Sequence, residues 1–236
     1  MGAIAEALSV VQPELRARSR RGAQVLAEAI LPASMVVWRG REAHHRPKAK
    51  RAGRVALTFD DGPTPLTREY LDVLDQLGVR ATFFLVGELC AQHPEIVADI
   101  AARGHEIAGH GYTHRRFTEL SAEELTDELE RTQALLPQSP QSRPLVRPPH
   151  GAVSLRSMLT CSRRGFTTVL WSFNSEDWRK KETSQVEGTF RERSAGAGEI
   201  VLLHDGQRWT VNALPTIVRR LEKAGHELVT VGELLG

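Results

Sequence analysis

From Arg54 onward the chain alternates short apolar runs with longer stretches whose apolar residues recur every three or four positions, the pattern of repeated β/α units around a parallel sheet. The first run, Val55–Phe59, reads as a strand. Leu66–Leu77 then carries leucines at 71, 74 and 77 and stops at Gly78, as an amphipathic helix does. Strands follow at Ala81–Val86 and His105–Ala108, with a helix between them at Pro94–Ala102, where Pro94 suits the first turn and Gly104 lies just past the end. Ser121 and Glu124 form a capping box for a helix to about Leu136. Leu145–Arg147, Phe166–Phe173, Glu199–Leu203 and Glu227–Val231 read as further strands. Ser154–Arg164, Thr183–Arg193 and Val211–Ala224 read as helices, and Pro137–Pro144 as a loop. About seven strands, most followed by a helix, predict an irregular (β/α) barrel spanning 54–236.

Residues 1–53 break this rhythm and form a basic helical extension and linker. Residues 1–31 read as two helical pieces around Pro13, and 14–31 place four arginines ahead of an apolar half. Such a helix can pack on the main domain or touch a membrane surface. Met35–Trp38 reads as a short strand, and Gly40–Gly53 as a linker. His44 and His45 are adjacent, so in an extended segment their side chains point opposite ways and do not meet one ion.

Composition sharpens this in three respects. Net charge is only +2 over 236 residues, and the first 53 hold ten basic against four acidic side chains, so the rest is mildly acidic and no nucleic-acid partner is expected. Cys90 and Cys161 lie far apart and are expected as buried small hydrophobes. No run of 18 apolar residues and no signal-peptide pattern is visible, which leads to the expectation of a cytoplasmic protein.

In a parallel barrel the loops after the strands share one face, and the candidate chemistry falls there repeatedly. The first strand runs into Asp60-Asp61-Gly62-Pro63. Later strands are followed by His110-Gly111-Tyr112-Thr113-His114, Arg147-Pro148-Pro149-His150-Gly151, Asn174-Ser175-Glu176-Asp177-Trp178 and His204-Asp205-Gly206. His110 and His114 can meet one ion if their segment is helical or tightly turned, and a carboxylate from the Asp60-Asp61 pair would complete a His₂Asp set with a position left for water. Such a site hydrolyses acyl bonds by polarising a carbonyl and lowering the pKa of water, with a second carboxylate as base and an imidazole such as His204 as acid.

In this order the five motifs resemble the polysaccharide deacetylase family, carbohydrate esterase family 4, over about three quarters of the chain. The resemblance implies a divalent-metal-dependent enzyme, usually with zinc, that removes N-acetyl groups from carbohydrates such as chitin oligomers or peptidoglycan. It implies Asp60 as general base, Asp61, His110 and His114 as metal ligands, and Arg147 as the charge partner of Asp60. It further implies the His150 backbone N–H as oxyanion donor, Trp178 and Leu202 as walls of the acyl pocket, and His204 as acid.

Three positions depart from the family pattern. Gly111 replaces a hydroxyl residue after the first metal histidine, so a brace on that loop is expected to be missing. His150 replaces an aromatic residue. Asn174 stands where the family has the Asp that charges its catalytic histidine, so His204 is expected to be a weak proton donor, with activity reduced or moved to lower pH. The alternatives are an O-acetyl esterase, a deformylase or amidase acting on a lipid-linked sugar or small amide, and a catalytically impaired carbohydrate-binding homologue.

Overall fold

The structure is a computed structural model describing residues 36–37, 53–137 and 144–236. The basic helix at 14–31, the linker histidines and most of the Pro137–Pro144 loop lie outside the described residues. Within those residues nine strands form one parallel sheet in the order β1-β6-β5-β4-β3-β2-β8-β7, with β9 pairing to the start of β2. They are β1 (Val36–Val37), β2 (Gly53–Gly62), β3 (Thr82–Leu85), β4 (Glu106–Gly109), β5 (Leu145–Val146), β6 (Thr167–Val169), β7 (Phe173–Asn174), β8 (Ile200–His204) and β9 (His226–Val229). Eight described α-helices cover the sheet: α1 (Thr67–Leu77), α2 (Gly87–Gln92), α3 (Pro94–Ala102), α4 (Ala122–Leu135), α5 (Leu155–Arg163), α6 (Thr183–Glu192), α7 (Arg208–Lys223) and α8 (Val231–Leu235). The irregular barrel expected from the alternating pattern is the fold observed.

The central strand β2 shows how the sequence sets the two layers. Val55, Leu57 and Phe59 face outward into the cluster built with α1 and α7, and each stabilises the fold by roughly 1.5–3 kcal/mol on burial. Ala56, on the other face, packs inside with Phe84, Ala108, Val169 and Ile200. The two-residue period therefore turns Thr58 and Asp60 inward as well, and carries a carboxylate into the barrel mouth.

Four expectations need correction. The run Phe166–Phe173 is not one strand: it breaks at 170–172, its first part pairing with β5 and its second with β8. The break lets the backbone of Leu170 turn to other partners, its N–H donating to the Val37 carbonyl at 2.7 Å and its carbonyl accepting from Arg147 at 3.2 Å. Val36–Val37 joins the sheet beside β6, which raises the strand count beyond seven. The last strand ends at Val229, because Thr230 and Glu233 form a capping box that starts α8. Gly87–Gln92 is a helix too short for periodicity to reveal. Cys90 and Cys161 are free and buried, as expected. Among the described residues no helix is long and apolar enough to cross a membrane.

Candidate active site

Asp60 is buried and Arg147, wholly enclosed, meets it at 2.6 Å. The guanidinium sits 3.9 Å over the ring of Phe84 and donates also to Thr58 Oγ1 and to the carbonyls of Val169 and Leu170. Burial pulls the arginine pKa down and the Asp60 carboxylate opposes that pull. The four acceptors fix the guanidinium plane, so the second carboxylate oxygen of Asp60 is left for the site.

Strict alternation would send Asp61 to the opposite face from Asp60. A register shift between Asp60 and Gly62 against β3, with Asp61 at φ +70°, redirects it. Its Oδ1 lies 3.3 Å from His110 Nε2 and 3.0 Å from His114 Nε2. Partial desolvation raises the Asp61 pKa, but the hydrogen bonds from the two histidines more than reverse it and hold the carboxyl far below its ordinary range. The histidines are not on a helix. Left-handed residues, Gly111 at φ +76° and His114 at φ +59°, coil the segment so that the two rings stand 5.0 Å apart.

Gly111 supplies no side-chain hydrogen bond to its loop, but other residues brace that loop. His110 Nδ1 is anchored on the Arg147 carbonyl at 2.7 Å. Glu128 of α4 accepts the N–H groups of Tyr112 and Thr113 at 2.6 and 2.8 Å and the Thr113 hydroxyl at 2.5 Å. Gly111 itself has little room for a side chain, since a Cβ there would lie 3.1 Å from Phe117 and 3.4 Å from Glu128 Oε2.

The expectation that His204 lacks a charged partner is overturned. Asp177, fully buried, takes His204 Nδ1 on Oδ1 at 2.7 Å and the His204 backbone N–H on Oδ2 at 2.8 Å. Thr210, Ser175 and the Trp178 N–H complete its shell. Burial alone would lower the His204 pKa, but Asp177, helped by Asp60 and Asp61, lifts it above the ordinary value. Asn174 has a local task instead, its Oδ1 accepting the Glu176 N–H at 2.9 Å in a turn. The Tyr70 hydroxyl adds a second hold, its one proton shared between the His204 and Gln207 carbonyls at 2.9 and 2.8 Å.

Sequence reasoning missed Asp177, Glu128 and Tyr70. Asp177 stood in the quoted pentapeptide, next to Trp178. Glu128 lies on the buried face of α4 with Leu125, Leu129 and Thr132, an acid where helical period demands core, and that was its signal.

The remaining predicted residues lie around this centre. His150 holds a left-handed conformation, φ +58°, and its ring lies 4.8 Å from that of His114. Leu202 is buried on β8, two residues before His204 and in register with Asn174. Trp178 is 54% exposed and forms rim rather than buried wall.

Residues 47–169 match the sequence model of the family described as polysaccharide deacetylase. A peptidoglycan-N-acetylglucosamine deacetylase of Listeria monocytogenes is 36% identical over 80% of this chain, which spans 40% of that relative's length. A chitooligosaccharide deacetylase of a Bradyrhizobium strain is 34% identical over 76% of this chain and 90% of its own. In structure, a peptidoglycan N-acetylglucosamine deacetylase crystallised with an N-hydroxybenzamide compound superposes with a TM-score of 0.76 at 28% identity, covering 86% of this chain and 93% of that one.

Proposed function

The chain belongs to the polysaccharide deacetylase family, and from that membership we propose that it hydrolyses the N-acetyl amide of an amino sugar in peptidoglycan or a chitooligosaccharide. The observation that carries the proposal is the register of two strands. Asp60 and His204 are direct partners on β2 and β8, so a buried carboxylate and an imidazole paired with Asp177 stand side by side at about the 4.8 Å spacing of neighbouring strands. Pure sugar binding has no use for a base and an acid so paired.

Asp61, His110 and His114 present one carboxylate oxygen and two imidazole nitrogens within 4.8 Å of one another. A mixed set of two histidines and a carboxylate suits zinc among the divalent cations, and these three residues would hold it. Bound there, the cation supplies Lewis acidity, polarising the acyl carbonyl and lowering the pKa of water.

The chain's own groups handle the protons and charge. Asp60, aimed by Arg147, takes a proton from the water as its oxygen bonds to the acyl carbon. The His150 N–H meets the oxyanion that develops on the carbonyl oxygen. His204, whose proton affinity Asp177 raises, gives its proton to the nitrogen as the C–N bond breaks, and acetate and the free amine leave. Leu202 gives the acetyl methyl an apolar wall, and the exposed ring of Trp178 offers a face to the sugar.

The test is acetate release from chitin oligomers and peptidoglycan by chelator-stripped protein with and without added zinc, beside Asp60→Asn. Release is expected to require zinc and to fall about 10²–10⁴-fold in Asp60→Asn, the usual contribution of a general base. Folded, zinc-loaded protein that released no acetate from either polymer would refute the reading. Turnover of acetyl esters alone would instead make it an esterase.

A further inference from the structure

We propose that Glu128 sets the metal affinity of this site, as a positioning residue that fixes the loop carrying His110 and His114. The inference rests on the metal set proposed above. Between the two histidines the loop has two edges of unsatisfied backbone, and each is gripped by a different helix. Its carbonyl edge faces the start of α2, where the Gly87 and Glu88 N–H groups donate to the Gly111 and Tyr112 carbonyls at 2.9 and 3.0 Å. Its amide edge faces α4, where Glu128 alone gathers the Tyr112 and Thr113 N–H groups on Oε2 and the Thr113 hydroxyl on Oε1. The left-handed turn at His114 costs of order 1–3 kcal/mol and persists only where the surroundings over-determine it. Glu128 is the side chain among those surroundings that holds the loop backbone leading into His114.

The charge of Glu128 points the same way. It is 5% exposed, and among the described residues it makes no ion pair. An amide oxygen could accept the two N–H groups, with the Thr113 hydroxyl turned to accept from the amide nitrogen, so these contacts alone do not call for a charge. A buried carboxylate without a cationic partner is costly, so the charge needs a complement. A dication at Asp61, His110 and His114 would supply that complement, held by the loop that the same carboxylate grips. Residues behind metal ligands commonly tune affinity in this manner, by about 10–100-fold.

Metal-stripped wild type, Glu128→Gln and Thr113→Val are titrated with zinc against a chromophoric chelator, with circular dichroism and thermal melting of each stripped protein in parallel. Glu128→Gln is expected to keep its fold, to bind zinc about 10–100-fold more weakly, and to regain kcat to within about 2-fold at saturating zinc. Thr113→Val, which removes one of the three donors, is expected to weaken binding about 2–10-fold. A folded Glu128→Gln with wild-type zinc affinity, whatever its melting temperature, would overturn the inference. Should Glu128→Gln not fold, unchanged affinity in Thr113→Val overturns it. Wild type that binds no zinc would fail the metal reading itself, a different result from equal binding by wild type and variant.

Discussion

Asp177→Asn removes one charge and keeps the shape, so its effect on His204 can be worked from the contacts it breaks. Asp177 accepts five donors, three on Oδ1 and two on Oδ2. An asparagine oxygen can replace only one of those carboxylate oxygens, and His204 Nδ1 loses its anion in either orientation. An opposite charge in hydrogen-bond contact moves a pKa by about 1–3 units, in line with roughly 4 kcal/mol between unit charges 4 Å apart at an effective dielectric of 20. With Asp177 neutral, burial prevails and the His204 pKa falls, Asp60 and Asp61 retaining a smaller share. His204 donates in its protonated form, so activity is present below its pKa and is lost as pH rises through it. The basic limb of the kcat/KM profile therefore moves down by about 1–3 units, and at a pH above both values the variant is about 10- to 10³-fold slower. At low pH the two enzymes converge. The raised native pKa also contributes folding stability, complete below the unfolded value of 6.5 and lost as pH rises through the native one. The assay is the full pH–rate profile of zinc-loaded protein on a chitin oligomer, with circular dichroism to establish folding. A folded Asp177→Asn whose basic limb coincides with wild type would refute the reasoning.

Two further substitutions test the supports of the site. Arg147→Met leaves Asp60 charged and unpaired inside the barrel, a loss of about 3–5 kcal/mol, which thermal melting should show as a drop of roughly 6–20 °C that Asp60→Asn in the same chain partly restores. A single variant melting with wild type would contradict the pairing. Gly87→Ala would set a Cβ 2.5 Å from the Tyr112 ring and 3.0 Å from its Cα. It should cost about 1–3 kcal/mol and weaken zinc binding together, and unchanged values of both would show that the histidine loop is not seated on α2.

The types of residue at the strand ends were legible because parallel strands deliver their C-terminal loops to one face, and Asp60, Asp61, His110, His114, Arg147 and His204 do converge there. How they converge was not. Two adjacent acids on a strand point apart, the same rule that sets His44 and His45 aside, and only the bulge after Asp60 brings Asp61 round. No residue type announces that bulge. Asn174 misled for a similar reason: counting back from Trp178 selects a position, but the turn closed by Asn174 itself decides that Asp177 is the side chain delivered to His204. The Thr230–Glu233 capping box was in the sequence as plainly as that of Ser121–Glu124, and taking the last apolar run as extended concealed α8.

The described residues outside glycine that take positive φ are Asp61, His114, His150 and Glu176, and the first three belong to the proposed centre. At roughly 1–3 kcal/mol each, this strain would not survive in mobile loops, and each position is clamped by a different device. For Asp61 the clamp is the bulge against β3; for His114 it is the loop held between α2 and Glu128. For His150 it is the neighbouring Gly151, which lets the chain pass so close to Trp171 that a Cβ would fall 2.5 Å from the ring. Beneath them, Phe84 and Trp171 pack in one cluster inside the barrel and Phe117 in another. A site strained at three points and held by packed surroundings is formed before substrate arrives, so binding energy from the sugar need not be spent in assembling it.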